Sequence, residues 1–149
     1  MKVSIEPQAV FIPQPMYVIG TSDGNDNPNF SVITWIEFGW NGSPYMVMGI
    51  GGKKKTKDNI LKTGEYTANL VSQDFLKLAD YFGMSKGNDG IKNKLDYAYK
   101  KGEEVQAPVL ELSKWVFECK VDRVIELDGS HLFISKIVNI QIEIGRAHV

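Results

Sequence analysis

Two long alternating segments near the end of the chain set the strongest limit on its fold. In the first, Trp115, Phe117, Cys119 and Val121 fall on one face, and Glu118, Lys120 and Asp122 on the other. This is the period of two that a β-strand imposes. In the second, Leu132, Ile134, Val138, Ile140 and Ile142 share a face. Between them sits Asp128-Gly129, a dipeptide suited to the positive φ of a tight hairpin turn. The closing quarter of the chain is therefore expected to be one long antiparallel hairpin.

The earlier segments supply strands to go with it. Met16 to Thr21 is apolar and β-prone, and Asp23-Gly24-Asn25-Asp26-Asn27-Pro28-Asn29 follows as turn chemistry. Phe30 to Phe38 resumes a strand, Asn41-Gly42-Ser43-Pro44 turns the chain, and Tyr45 to Ile50 is the next strand. Thr56 is placed to cap a short helix from Lys57 to Lys62 that stops at Gly64, and Glu65 to Val71 alternates as a strand. Ser72 opens a second helix, in which Phe75, Leu78, Ala79 and Phe82 form one apolar face ahead of Gly83. Residues 84–106 are polar and read as a long loop. Six main strands with antiparallel connections and few helices predict a mainly β fold, a small six-stranded antiparallel barrel. The Phe75 to Phe82 helix is expected to cover one end, with Cys119 and Trp115 deep on the same core face.

Composition narrows the function classes. With 149 residues and 43% apolar content, one domain with one substantial core is expected, spanning residues 1–143. Seventeen Lys and Arg against eighteen Asp and Glu leave a net charge of -1, which excludes a strongly basic surface for duplex nucleic acid. A single cysteine and two histidines give no disulfide framework and no metal centre. The first residues lack the apolar run of a secretory signal, and the most apolar stretch, Tyr45 to Gly52, is too short to span a bilayer. A cytoplasmic protein without membrane association is the expectation.

The segment Gly49-Ile50-Gly51-Gly52-Lys53-Lys54-Lys55-Thr56-Lys57-Asp58-Asn59 carries most of the chemical information. Three lysines directly before a helix start oppose the helix dipole, by a few tenths to ~1 kcal/mol each. An anion bound there reverses that sign, because backbone amides, the Thr56 hydroxyl and a lysine can together hold a phosphate. The same residues also read as a solvated basic turn. No register matches a Walker phosphate loop or a dinucleotide glycine fingerprint. No nucleophile elbow or acid–base pair stands out, so no catalytic side chain is assigned. His131 reads as a polar turn residue and Cys119 as an inert buried thiol. Trp35 and Trp40 bracket a strand, and serve either as core or as flat surfaces for a planar ligand.

The order of motifs resembles the flavin reductase-like family of flavoredoxin type, which has the FMN-binding split-barrel fold. The resemblance runs from about Pro15 to Ile142. It is carried by Pro15-Met16-Tyr17-Val18-Ile19-Gly20-Thr21, Pro28-Asn29, Thr34-Trp35, Lys55-Thr56-Lys57-Asp58-Asn59-Ile60 and Thr63-Gly64-Glu65-Tyr66-Thr67-Ala68-Asn69-Leu70. Tyr81-Phe82-Gly83, Ser85-Lys86-Gly87, Ala107-Pro108 and Glu118-Cys119-Lys120-Val121 complete it.

The resemblance implies FMN lying across the barrel at a homodimer interface. Asn29, Ser31, Thr34, Trp35 and Ile36 would line the isoalloxazine. Gly51, Lys53, Lys54, Lys55, Thr56 and Asn59 would form the phosphate segment. Ser85 and Gly87 would belong to a cofactor-proximal loop with Asp89, Lys92 and Lys94. There the sequence departs from the family pattern, since Lys86 intervenes and no Asp-Lys-Phe follows. The implied activity is hydride transfer from NADH or NADPH to flavin. The alternative is an FMN-binding electron carrier, or planar-ligand module, serving an electron-transfer partner protein.

The last six residues, Ile144-Gly145-Arg146-Ala147-His148-Val149, abandon strand alternation. They are expected to be a tail foreign to the domain, replacing a native C-terminal segment, so no role is expected for His148.

Overall fold

The computed structural model describes residues 1–8, 12–85 and 96–145. Nine strands and two helices follow in order: β1 (Tyr17–Ser22), β2 (Pro28–Ile33), β3 (Ile36–Trp40), β4 (Pro44–Gly51), α1 (Lys55–Thr63), β5 (Glu65–Leu70), α2 (Leu76–Met84), β6 (Tyr99–Lys101), β7 (Pro108–Leu110), β8 (Trp115–Leu127) and β9 (Ser130–Ile142). The main sheet is antiparallel, in the order β2-β1-β5-β8-β9-β4-β3, and β6 pairs with β7 separately. Its two edge strands, β2 and β3, are neighbours in sequence, separated only by Thr34 and Trp35. That connection draws the ends of the sheet together and curls it into a split barrel.

The expected Phe30 to Phe38 strand is thus two strands, which makes seven in the main sheet where six were expected. The break is local: the Ile36 amide donates to the Thr34 carbonyl at 2.9 Å, and the Gly49 amide donates to Trp35 O at 3.2 Å. The predicted Asp128-Gly129 hairpin is present, with Gly129 at φ 83°. β8 and β9 outrun their neighbours: β5 pairs with Val116 to Lys120 only, and β4 with Ser130 to Lys136 only. This stagger is what a closing barrel requires.

The β8–β9 ladder slips between Glu118 and Cys119, where Val138 of β9 has no partner in β8. The extra residue lies in β9, so β8 keeps its alternation there: Phe117 and Cys119 meet the barrel core, and Glu118 is buried on the opposite face. Trp115 shares the face of Phe117 but stands at the start of the strand, beyond the pairing with β5, and is 40% exposed instead of deep in the core with Cys119. The bulge breaks the expected Leu132-Ile134-Val138-Ile140-Ile142 face: Phe133 and Ser135 are the buried residues of β9, Leu132 and Ile134 are half-buried, and Val138, Ile140 and Ile142 are exposed.

Two apolar clusters result. Tyr17, Ile19, Met46, Met48, Tyr66, Cys119 and Phe133 belong to the one inside the barrel. Val18, Phe30, Phe75, Ala79, Phe82 and Leu110 form the other, where α2 and β7 cover the outside of β1 and β2. Neighbouring residues Val18 and Ile19 serve different clusters, so β1 is buried on both faces. Each such large apolar side chain contributes about 1.5–3 kcal/mol on burial. α2 is preceded by a 3-10 turn at Gln73–Phe75 and continues through Gly83 to Met84. Ser72 precedes that turn without a side-chain capping bond. β7 lies over β1, and Gly20 marks the closest approach: a Cβ there would come within 2.2 Å of Pro108 O.

Glu118 organises the adjoining loop. Its carboxylate accepts the amides of Glu103, Glu104 and Val105 at 3.2, 2.7 and 3.2 Å, and the side-chain amides of Asn139 and Gln141 at 2.8 and 2.7 Å. Glu65 takes the next amide, Gln106, at 2.9 Å. Burial works to raise the Glu118 pKa, but the hydrogen bonds from Gln141, the Glu104 amide, Asn139 and the Glu103 amide outweigh it and hold the group below its ordinary value.

Candidate functional site

α1 starts one residue after an extended Lys54, and its first backbone bond runs from the Asp58 amide to Lys54 O at 3.1 Å. The amides of Lys55, Thr56 and Lys57 precede that bond, and no side chain caps them. The turn before them is tied down on its other side. The Gly52 amide, at φ 67°, donates to Gly129 O at 3.2 Å, and Lys57 Nζ reaches the same carbonyl at 3.5 Å. Lys53 and Lys54 are exposed and Lys55 half-buried. The helix ends as the sequence predicts, at Gly64 with φ 70°, its amide donating to Ile60 O.

Thr56 is not the helix cap. It lies inside the helix, only 2% exposed, and its hydroxyl turns inward. Asn29 Nδ2 donates to Thr56 Oγ1 at 2.9 Å, and Ser31 Oγ lies 2.6 Å from the same oxygen. Asn59 Nδ2 donates to Thr21 Oγ1 at 3.1 Å, and Asn29 Nδ2 reaches that oxygen at 3.4 Å. Five polar side chains from β1, β2 and α1 thereby satisfy one another beneath the lysine turn.

Beside this network a cleft of about 290 Å³ opens between the β2–β3 break and β4. Thr34, Trp35, Gly49, Gly51 and Lys54 line it, together with Val32, Ile33 and Ile50. Trp35 is 61% exposed, an indole presented to solvent at the rim instead of packed in the core. Gly49 and Gly51 leave the β4 backbone accessible, since neither carries a side chain into the cleft. The arrangement joins a flat wall, a bare backbone floor and, through Lys54, uncapped helix amides with nearby ammonium groups. It can hold a planar ring at one end and an anion at the other.

The residues expected from sequence thus fall into two touching sets. Asn29, Ser31, Thr56 and Asn59 form the buried network; Thr34, Trp35, Gly51 and Lys54 line the cleft. Ile36 belongs to the barrel core, which keeps its side chain off the cleft. Ser85 is engaged at the end of α2, donating to Tyr81 O at 2.7 Å, away from the cleft lining. Gly87, Asp89, Lys92 and Lys94 lie outside the described residues. Gly49 opens the glycine-lysine segment without being assigned to the site, and Thr21 has no sequence signal of its own. Thr21 pairs directly with Asn29 across the β1–β2 hairpin, a relation that the turn chemistry of residues 23–29 foreshadows.

Other candidate groups are inert or unaligned with the cleft. Burial pushes the Cys119 thiol up to about 12. Burial, followed by the neighbouring Cys119, raises the Tyr66 hydroxyl well above its ordinary value. His131 is not a turn residue: it stands in β9, its ring stacked on Phe133 at 6.1 Å, with Nδ1 buried and without a partner. Among the described residues no cluster of His, Cys, Asp or Glu could hold a metal ion, and no helix is long and apolar enough to cross a membrane.

The fold is shared with known proteins. Flavoredoxin from Methanosarcina acetivorans superposes with a TM-score of 0.87 at 22% identity, covering 96% of this chain and 76% of that one. Flavoredoxin of Desulfovibrio vulgaris (Miyazaki F) gives 0.86 at 25% identity, with 96% and 77% covered. An FMN-binding protein from Thermus thermophilus gives 0.82 at 19%, with 96% and 79% covered. No curated protein matches the sequence. The flavin reductase like domain matches residues 9–148, and with the split-barrel fold already in place, the chain belongs to the flavin reductase-like family.

Proposed function

We propose that the protein is a cytoplasmic FMN-binding flavoprotein that passes a hydride from NADH or NADPH to flavin. The observation that carries this reading is the cleft itself, with exposed Trp35 and the bare Gly49–Gly51 backbone at one end and the uncapped start of α1 at the other. FMN, when bound, supplies the redox chemistry. The chain's own residues do the holding. The α1 amides and Lys53, Lys54 and Lys55 take the phosphate, and Thr34, Trp35, Gly49 and Gly51 face the ring. Asn29, Ser31, Thr56 and Asn59 fix the position of α1 against β2 from below. Hydride transfer between stacked rings asks for close parallel placement, which agrees with a site built of backbone, hydroxyls and one indole.

A homodimer is part of the proposal. Phe38, Val138, Ile140 and Ile142 are exposed apolar side chains, the kind of surface an interface between copies covers. Sedimentation is expected to give a dimer, and a monomer saturated with FMN would remove this part. The flavoredoxin names of two structural relatives favour a second reading, an electron carrier using the same cleft.

One experiment separates these readings: FMN is titrated into the purified chain, and nicotinamide absorbance is followed with NADH and with NADPH. FMN-dependent loss of absorbance is the expected result. Tight FMN binding without turnover selects the carrier, and no FMN affinity overturns both.

A further inference from the structure

A second cleft, of about 550 Å³, lies on the outer face of β4 and β9. Its floor is Val47 and Ile134, directly opposite each other in the ladder. Tyr45 walls one side with its ring pressed against Gly39, where a Cβ would come within 2.2 Å of that ring. Trp40, 72% exposed, stands at the rim. The opposite rim comes from β8. There the ladder slips again between Val121 and Arg123, leaving Asp122 without a partner on β9. In a regular strand Asp122 and Arg123 would point to opposite faces. Here both line the cleft, as a bulge that re-aims side chains allows. A glycine in β3 and a bulge in β8, two departures from regular sheet, therefore shape the same cavity.

Its charge is unbalanced. Asp122 is shared between Arg123 Nε at 3.6 Å and Lys136 Nζ at 3.7 Å. Both separations exceed a good charged hydrogen bond, and one carboxylate facing two cations leaves a net positive charge. We propose that this cleft binds a small aromatic carboxylate, with its ring against Trp40 and Tyr45 and its carboxylate on Arg123 and Lys136. A volume of several hundred Å³ with aromatic walls and a few placed polar groups suits such a molecule. The cleft shares the outer face of β4 with the flavin cleft. Val47 of one and Gly49 of the other are two residues apart, about 7 Å along the strand. The inference stands on its own geometry and does not require bound flavin.

The test uses the full chain, with and without FMN. 2-Naphthoate is titrated against the indole N–H signals of Trp35, Trp40 and Trp115, and affinities are measured by calorimetry for 2-naphthoate, 2-naphthalenemethanol, acetate and 2-naphthyl phosphate. The expected result is saturable naphthoate binding that moves the Trp40 signal, with the neutral alcohol and acetate at least about tenfold weaker. Arg123→Gln and Trp40→Ala are each expected to weaken naphthoate about tenfold or more, as loss of a charge-assisted contact or a stacking wall does. Both positions are exposed, so folding is retained and circular dichroism checks it. FMN affinity is measured in the same variants; naphthoate binding without FMN binding would remove the flavin reading and leave this one in place. No saturable naphthoate binding overturns the proposal, including the case in which a second copy covers the cleft. Equal binding of the alcohol, tighter binding of the phosphate, or unchanged affinity in both variants overturns it as well.

Discussion

The Thr56 hydroxyl sits 2.6 Å from that of Ser31 and receives the Asn29 side-chain amide at 2.9 Å, so it fastens α1 to β2 instead of facing the lysine turn. Its expected role is structural. Thr56→Val keeps the shape and removes the acceptor, leaving Asn29 and Ser31 short of a buried partner. The expected cost is about 1–3 kcal/mol, read as a lower urea midpoint with an unchanged slope. A variant as stable as the parent would show that the network contributes nothing.

Glu118 gives a prediction with a definite pH sign. Its pKa in the fold is held below the ordinary 4.5. A depressed carboxylate adds stability that is fully present above its unfolded pKa and is lost as pH falls through the folded one. The chain is therefore expected to lose stability on acidification below about pH 5, where Glu118 begins to accept a proton in the unfolded state. Glu118→Gln places an amide donor where three backbone amides donate already. It is expected to cost about 3 kcal/mol at neutral pH and to flatten the acid limb. Parallel acid limbs for parent and variant would assign that limb to other carboxylates.

Much of this architecture is legible from residues alone, and the gaps have physical causes. The long hairpin, the Gly64 stop and the antiparallel order follow from alternation and turn chemistry, which are local. Trp115 is misplaced in depth because it stands at the strand end, and the face expected for β9 is broken by a bulge at Val138 that leaves no mark in the pattern. The Thr34-Trp35 break is equally silent, since a β-branched and an aromatic residue favour strand; tertiary closure sets it. The lysine turn is visible because charge before a helix start is unusual. Thr56 resembles a cap because threonine often is one, and only the neighbouring β2 shows its hydroxyl to be engaged. Gly49 stands in the glycine-lysine segment that the sequence marks, but only three-dimensional packing brings it beside Trp35 in the cleft.

Gly20 should tolerate no side chain. A Cβ there would meet Pro108 O at 2.2 Å, a backbone atom that already accepts the Thr67 hydroxyl. Gly20→Ala is expected to lift β7 off β1 and expose Leu110 and Phe30. The measurement is hydrogen exchange at the Leu110 amide, which donates to Asn69 Oδ1 at 2.9 Å. Faster exchange there than in β8 and β9 is the expected pattern, and unchanged protection would mean that β7 accommodates the methyl by sliding.

Cys119 should be unreactive in the folded chain. Its thiol is buried, and burial pushes its pKa up to about 12, which leaves almost no thiolate at neutral pH. Alkylation by iodoacetamide is expected to follow the rate of unfolding and to accelerate with urea. Rapid labelling of the native chain without urea would show that β8 opens locally beside the β9 bulge at Val138.

The lysine turn carries the sharpest test of the phosphate assignment. Lys53 and Lys54 precede α1 and Lys55 is its first residue, so three cations stand at the uncapped helix amides, and nothing in the net charge of -1 requires them there. Changing all three to Ser is expected to weaken FMN by about ten- to a hundredfold, equivalent to roughly 1.5–3 kcal/mol for lost charge-assisted contacts. Riboflavin, which has the same ring and no phosphate, should lose far less. Without ligand the variant should be slightly more stable than the parent, because like charge at a helix start is unfavourable by a few tenths to ~1 kcal/mol per residue. Fluorescence quenching of both flavins and a thermal melt of the ligand-free protein give the three numbers. Equal losses for FMN and riboflavin would place the phosphate elsewhere and leave the turn a solvated basic surface.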